Sequence, residues 1–187
     1  PPFREEGGPP LFRVLSQLRP LLPEVGSALT LKDLSQVLYP LAERSGRRGF
    51  PSAGEAYPLE AYLVVRRVEG VFPGIYHYFP KEHQLFQIAA RVEEASWSEA
   101  LLGLSLEQVA ALLVFTLVPE RSEALFGLRG YRYALLEAGY AAGLVLLSAI
   151  GQGLAAYPAE TFYDEMVAHL LRLPEGEYPG VVVILGR

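Results

Sequence analysis

The stretch Arg47-Arg48-Gly49-Phe50-Pro51-Ser52-Ala53-Gly54-Glu55-Ala56-Tyr57-Pro58 gathers more side chains able to do chemistry than any other part of this chain. Two guanidinium groups, a Pro-Ser-Ala-Gly bend and a second proline precede the run Leu59 to Val65, which predicts a polar loop opening into a buried strand. Arg47 and Arg48 could hold a phosphate bidentately, Ser52 offers a hydroxyl, and Ala53 and Gly54 offer unhindered backbone N–H groups. A second set of main-chain donors follows the longest apolar segment, at Tyr157-Pro158-Ala159-Glu160-Thr161. This equipment suits an anionic cofactor that brings its own reactivity and needs only orientation and electrostatics from the protein. The same residue types also suit a plain connection whose arginines only solvate it.

Other chemistries fall away on spacing. Gly49 to Gly54 approaches a nucleophile elbow, but it has one residue too many before the serine and precedes a strand where the elbow must follow one. His77 and His83 straddle a turn without carboxylates at metal spacing, and His169 sits in an amphipathic stretch, so all three read as surface or satisfied histidines and no metal site is expected. Gly151-Gln152-Gly153 lacks the remaining glycine of a dinucleotide fingerprint and a preceding strand, and there is no Walker lysine. The chain has no cysteine, which removes disulfides, thiolate catalysis and cysteine-bound metal, and fits a reducing cytosol. A formal charge of -5 gives no global field for nucleic acid or an anionic membrane. Of the 16 basic residues only Lys32 and Lys81 are lysines, a bias compatible with anion sites and equally with genome composition.

The elements that must position the loop are read from periodicity. At 187 residues the chain is expected to form one domain, 1–187, with Pro1 to Pro10 as an extended arm. The start lacks a methionine, which reads as trimmed or disordered, and lacks the basic-then-apolar form of a signal peptide. Leu11 to Leu22 has helical spacing, and Thr30 is placed to cap a second helix with buried Leu31, Leu34, Leu38 and Leu41. Ala61 to Glu69, Ile75 to Phe79 and Gln84 to Ile88 predict an antiparallel meander. Glu93 to Leu102 reads as a helix around Trp97, and the apolar stretch Leu106 to Val118, grouped with the helical second half, is read as core. Tyr133 to Ile150 would be about 27 Å of helix. A membrane span is weighed there, but Gly139, Gly143 and Gly151-Gln152-Gly153 interrupt the apolar run, and a buried core helix is the reading adopted, with small residues from Ala138 to Gly143 admitting another helix. Phe162 to Leu173 and the strand Gly180 to Leu185 close the chain. The fold class is α+β, an antiparallel sheet wrapped by helices around a long central one.

Several motifs, in order, also resemble a known family. Thr30 to Leu38, Arg48-Gly49-Phe50-Pro51-Ser52-Ala53-Gly54 with Tyr57-Pro58-Leu59-Glu60, and Glu69-Gly70-Val71-Phe72-Pro73-Gly74-Ile75-Tyr76-His77-Tyr78 resemble the nitroreductase-like flavoproteins, and within them the SagB-type, azoline-oxidising branch. Arg129 to Gly139 is similar to the start of that family's long core helix, Gly153-Leu154 and Pro158-Ala159-Glu160-Thr161-Phe162 to its flavin-facing loop, and Val181 to Gly186 to its closing strand.

The resemblance implies FMN bound at the interface of a homodimer and hydride transfer through it. The substrate would be an azoline ring in a peptide or a small electrophile. Carried over residue by residue, Ser52, Ala53 and Gly54 would touch the ring. Pro158, Glu160 and Thr161 would bring main chain to its hydride-accepting edge, and Arg132 would be a positive group near the opposite edge, with a salt bridge to Glu137 as its other reading. The family's Arg-Arg-Ser-x-Arg phosphate motif is replaced by Leu18-Arg19-Pro20-Leu21-Leu22, a polar residue of the long helix is lost in Ala142-Gly143-Leu144-Val145, and Glu160-Thr161 stand where Gly-Gly is usual. Phosphate binding would fall to some of Arg13, Arg19, Arg47, Arg48 and Arg187. The alternative reading is a relative that keeps fold and dimer but acts as a non-catalytic binding or scaffold partner.

Overall fold

Proline placement decides where the chain's first helix stops. In a computed structural model that describes every residue except Glu5 and Glu160, α1 spans only Leu11–Gln17, because Pro20 and Pro23 push the residues before them out of helical geometry. The strand β1 (Leu29–Thr30) leads directly into α2 (Leu31–Leu38). Thr30 caps that helix through a full capping box: its hydroxyl accepts from the Asp33 N–H at 3.1 Å, and the Asp33 carboxylate accepts from the Thr30 N–H at 2.9 Å. Leu34, Val37 and Leu38 then face inward, as the apolar spacing requires.

The remaining elements in chain order are β2 (Leu59–Val65), β3 (Val68–Glu69), β4 (Gly74–Phe79), β5 (Gln84–Ala89), α3 (Glu94–Ala100), β6 (Ala111–Leu117), α4 (Pro119–Phe126), α5 (Arg129–Gly151), β7 (Ala155–Ala159), α6 (Asp164–Leu171) and β8 (Tyr178–Gly186). Among the described residues β1 and β3 form a small parallel pair, and the other strands form one sheet in the order β5-β4-β2-β6-β8-β7 with every neighbour antiparallel. The expected meander is present as β2-β4-β5. The stretch grouped with the helices is instead β6, the strand between β2 and β8, buried at all seven residues. A strand covered on both faces has no alternation to betray it, so its continuous apolar run reads like a buried helix.

Two cores follow from the alternation along β2. Ala61, Leu63 and Val65 pack with Leu113, Phe115 and the inner side of α5, where Ala134, Ala138, Ala141 and Val145 lie. Tyr62 and Val64 point the other way, to Leu112, Val114, Trp97 of α3 and Val167 and Leu171 of α6. Small side chains on α5 let it lie close to its own sheet. Gly139 and Gly143 are elsewhere on the helix, where an added Cβ would meet nothing within 4 Å. Among the described residues α5 alone is long and apolar enough to cross a membrane, and the sheet covers its inner side. The outer side displays Leu128, Tyr131, Leu135, Leu136 and Tyr140.

Candidate functional site

The loop from Arg47 to Pro58 is anchored before it can present anything. Gly49 donates its N–H to the Pro40 carbonyl at 2.9 Å, so closely that an added Cβ would lie 2.6 Å from that oxygen. Phe50 is buried beside it and meets Tyr57 edge to face at 6.3 Å. The bend is then closed by Ser52, whose hydroxyl oxygen accepts the Tyr57 N–H at 2.9 Å. Ala53 to Glu55 make one 3-10 turn with Gly54 at φ 62°, and Glu55 and Tyr57 also hold positive φ. Left-handed backbone at non-glycine residues is held only where surroundings over-determine it. Here α4 does so: a Cβ on Gly54 would meet Leu125 and Phe126 at 3.0 Å.

The two arginines part company. Arg47 is exposed and pairs with Glu55 at 2.9 Å, a contact worth little in water. Arg48 turns inward. Its guanidinium donates to the Leu59 carbonyl at 2.9 Å and lies over the Tyr57 ring at 5.0 Å, while its N–H reaches the Tyr57 hydroxyl at 3.3 Å. Burial pushes its pKa down, opposed by the negative charges of Glu60 and Glu137. Its charge therefore serves the loop's own fold.

Glu137 is the group beneath the bend that residue-type reasoning missed, entering it only as a possible partner of Arg132. Five helical residues separate Arg132 from Glu137, roughly 140° around the axis, so the two cannot share a face. Arg132 is exposed, whereas Glu137 is 2% exposed. Burial raises the Glu137 carboxyl to about 7, while hydrogen bonding from Ser52 and the charge of Arg48 pull the other way. Among the described residues its Oε1 has no hydrogen-bond partner. The available signal was its isolation: no other acid lies between Glu123 and Glu160.

A second polar group borders the loop. Arg121 of α4 donates to the Tyr57 carbonyl at 3.0 Å and to Glu60 at 2.5 Å, and the other Glu60 oxygen meets His77 Nε2 at 2.9 Å. Burial would raise the Glu60 pKa, but the bonds from His77 and Arg121 hold it below the usual range. His77 stacks on Tyr62 at 4.7 Å. His83 is satisfied, as expected, between Ser35 and Tyr78 at 2.8 Å each.

The second predicted donor set is not a loop throughout. Tyr157, Pro158 and Ala159 belong to edge strand β7, with Pro158 opposite Val183 and Ala159 opposite Val182. Thr161 is exposed, and Glu160 lies outside the described residues. In sheet order β7 is three strands from β2, roughly 14 Å at ordinary strand spacing. The chain thus joins Arg48, Ser52, Ala53 and Gly54 in one place with Glu137 beneath, and leaves Pro158 and Thr161 in another.

A six-stranded antiparallel sheet, a long core helix and an anchored Ser-Ala-Gly bend at the helix's flank define an α+β protein. The chain belongs to the nitroreductase family, whose description matches residues 27–187. Members of that family are oxidoreductases and generally bind flavin. The chain is 35% identical over 180 residues to a Methanocaldococcus jannaschii protein described as a nitroreductase, MJ1384, covering 93% of this chain and 89% of that one. It is 29% identical over 146 residues to the Escherichia coli microcin B17-processing protein McbC, covering 74% of this chain and 53% of McbC. Among solved structures, a nitroreductase-like protein of Anabaena variabilis superposes with a TM-score of 0.82 at 24% identity, covering 95% of this chain and 38% of that chain. The Escherichia coli microcin synthetase McbBCD complex with truncated pro-MccB17 superposes with a TM-score of 0.79 at 24% identity, covering 100% of this chain and 76% of that chain. At these identities the superpositions show the fold.

Proposed function

We propose that the chain is an FMN-dependent oxidoreductase acting as a cytoplasmic homodimer, with the flavin at the interface between two copies. The observation that carries this reading is the Ser52-Ala53-Gly54 bend, with Gly54 at φ 62° against α4, Ser52 closing it through the Tyr57 N–H, and Ala53 and Gly54 accessible at its surface. Such a bend presents backbone N–H groups and a hydroxyl to a flat polar ring. Contact with Leu125 and Phe126 of α4 fixes Gly54 and so holds the main chain of the bend in place for a ring laid on its other side. Bound FMN would supply the capacity to take and give hydride; the protein would supply orientation and charge.

The dimer is supported by the separation of the two donor sets. Ser52 to Gly54 lead into β2, and Pro158 and Ala159 belong to β7, three strands further along the sheet, so a second copy is the economical way to bring both to one ring. The outer side of α5, with Leu128, Leu135 and Leu136 exposed, is the face we assign to that contact. Of the five arginines considered for the phosphate, Arg47 pairs with Glu55, Arg48 faces inward, and Arg187 is tied to Asp33 at 2.6 Å. Arg13 and Arg19 are exposed and have no side-chain partner among the described residues, so we assign the phosphate to them. The similarity to McbC supports the azoline-oxidising branch, and the similarity to MJ1384 supports reduction of a small electrophile; a peptide azoline is the substrate class we favour.

The phosphate side also favours one competing reading. Apolar Leu18, Leu21 and Leu22 replace the usual basic cluster, and three of the five candidate arginines have partners within the chain, which suits a scaffold that has given up its flavin. Flavin absorbance of the purified chain, with titration of added FMN, separates the two. Saturable binding supports the oxidoreductase, and a colourless chain that binds none supports the scaffold.

A further inference from the structure

We propose that the groove between α2 and the β4–β5 hairpin is a peptide-recognition site for an extended segment of the pattern apolar-Pro-aromatic. The chain's own Pro1-Pro2-Phe3-Arg4 fills it in cis, and a partner protein's segment of the same chemistry fills it in trans. The site is built without the Ser52 bend and needs no flavin.

The groove reads main chain at two points. The Ser35 hydroxyl donates to the Pro1 carbonyl at 2.6 Å. The next side chain along α2, Gln36, brackets Arg4: its oxygen accepts the Arg4 N–H at 2.7 Å, and its amide donates to the Arg4 carbonyl at 3.2 Å. Between these points the Phe3 ring sits in an aromatic corner, 4.2 Å from the Tyr39 ring and edge-on to His83 at 5.2 Å. Main-chain bonds with an aromatic-lined groove between them suit a proline-rich segment, which is already extended and loses little entropy on docking.

Ser35 is arranged to give a hydrogen to a carbonyl. Tyr78 is 1% exposed, and among the described residues its hydroxyl meets His83 Nδ1 alone, at 2.8 Å, so its hydrogen goes there. An accepting Nδ1 leaves the imidazole hydrogen on Nε2, which lies 2.8 Å from the Ser35 oxygen. The Ser35 hydrogen is thereby turned outward, onto the docked main chain. Burial lowers the His83 pKa and keeps the ring neutral, as this relay requires.

The resident arm underfills its site. A cavity of about 250 Å³ borders Pro1, walled by Leu31, Leu34, Leu38, Val71, Tyr76 and Leu85. A leucine in the place of Pro1 would bury apolar surface there that proline does not reach. The arm is also placed to lift, since Pro1, Pro2 and Arg4 are exposed, and Gly7 (φ 80°) and Gly8 have nothing within 4 Å of an added Cβ. A segment with a larger first side chain therefore outcompetes it.

The test is titration of the full chain, wild type and Phe3→Ala, with acetylated and amidated Pro-Pro-Phe-Arg, Leu-Pro-Phe-Arg and Leu-Pro-Ala-Arg. The ring-nitrogen resonances of the three histidines report binding, with His77 and His169 as internal references. Before peptide is added, His83 of the wild type should carry its hydrogen on Nε2. In Phe3→Ala, Leu-Pro-Phe-Arg should shift His83 saturably and bind roughly fivefold more tightly than Pro-Pro-Phe-Arg. The wild type should bind it roughly tenfold more weakly than Phe3→Ala does, because the tethered arm competes. Ser35→Ala and Gln36→Ala, each added to Phe3→Ala, should weaken it roughly fivefold. Leu-Pro-Ala-Arg should not saturate. Absence of a saturable His83 shift in Phe3→Ala, equal binding of the Phe and Ala peptides, or equal binding by wild type and Phe3→Ala overturns the proposal. A His83 hydrogen found on Nδ1 overturns the direction of the relay and with it the carbonyl contact at Ser35.

Discussion

Replacing Glu137 with glutamine should make the protein more stable above neutral pH and leave its acid stability relative to the wild type unimproved. In the folded chain the carboxyl titrates near 7 instead of the ordinary 4.5. The folded state therefore keeps a proton that the unfolded chain has already released, and folding binds protons between those two values. The sign follows directly: the wild type is favoured below about pH 4.5, loses stability as pH rises toward 7, and carries the full cost above it. At about 1.4 kcal/mol per pH unit the cost at pH 8 is of the order of 3 kcal/mol. Glutamine is neutral throughout and bears none of it. Any constant offset from the change of oxygen to amide cancels when the variant is compared with the wild type at two pH values. Urea unfolding of both proteins at pH 5 and pH 8 reads the effect, with the m-value confirming that both unfold the same surface. The stability difference between variant and wild type should shift by roughly 2–3 kcal/mol in favour of the variant from pH 5 to pH 8. A difference that does not change with pH would refute the reasoning, because it would place the Glu137 carboxyl in the ordinary carboxylate range.

Gly54→Ala should destabilise the fold by about 1–2 kcal/mol, since φ of 62° strains any side chain and the new Cβ meets Leu125 and Phe126 at 3.0 Å; thermal unfolding checks it. Thr30→Ala removes one arm of the capping box and should cost about 1 kcal/mol in urea unfolding, with Thr30→Ser close to wild type. Burial lowers the His83 pKa, so the folded chain resists a proton that the unfolded chain accepts. Stability held by neutral His83 should fall as pH drops below about 6.5, and His83→Gln should flatten that limb of the stability-pH curve.

How much of this was legible in the sequence depended on whether a residue's neighbours were near in the chain. Thr30 and Asp33 are three residues apart, and the capping box could be anticipated from Thr30 alone. Pro51, Gly54 and Pro58 marked the loop because they act on their own backbone. β6 was misread because burial on both faces erases the alternation that identifies a strand, and the partners that bury it, β2 and β8, are distant in sequence. Likewise β7 looked like a loop because Pro158 and Ala159 are weak strand formers, and only pairing with Val182 and Val183 makes them a strand. At the site, Ser52 and Arg48 were visible as types, but the inward turn of Arg48 onto the Leu59 carbonyl and the Tyr57 ring was not, because those contacts are chosen by packing. Glu137 was overlooked for the same reason: its burial is set by packing between segments distant in sequence.

The central claim is that the anchored bend binds a flavin. Purified chain titrated with FMN, followed by the visible absorbance of the bound ring and by equilibrium dialysis, tests it most directly. The account predicts saturable binding of one flavin per chain, weakened when Ser52 is replaced by alanine. Absence of binding at flavin concentrations well above those that saturate ordinary flavoproteins would contradict it.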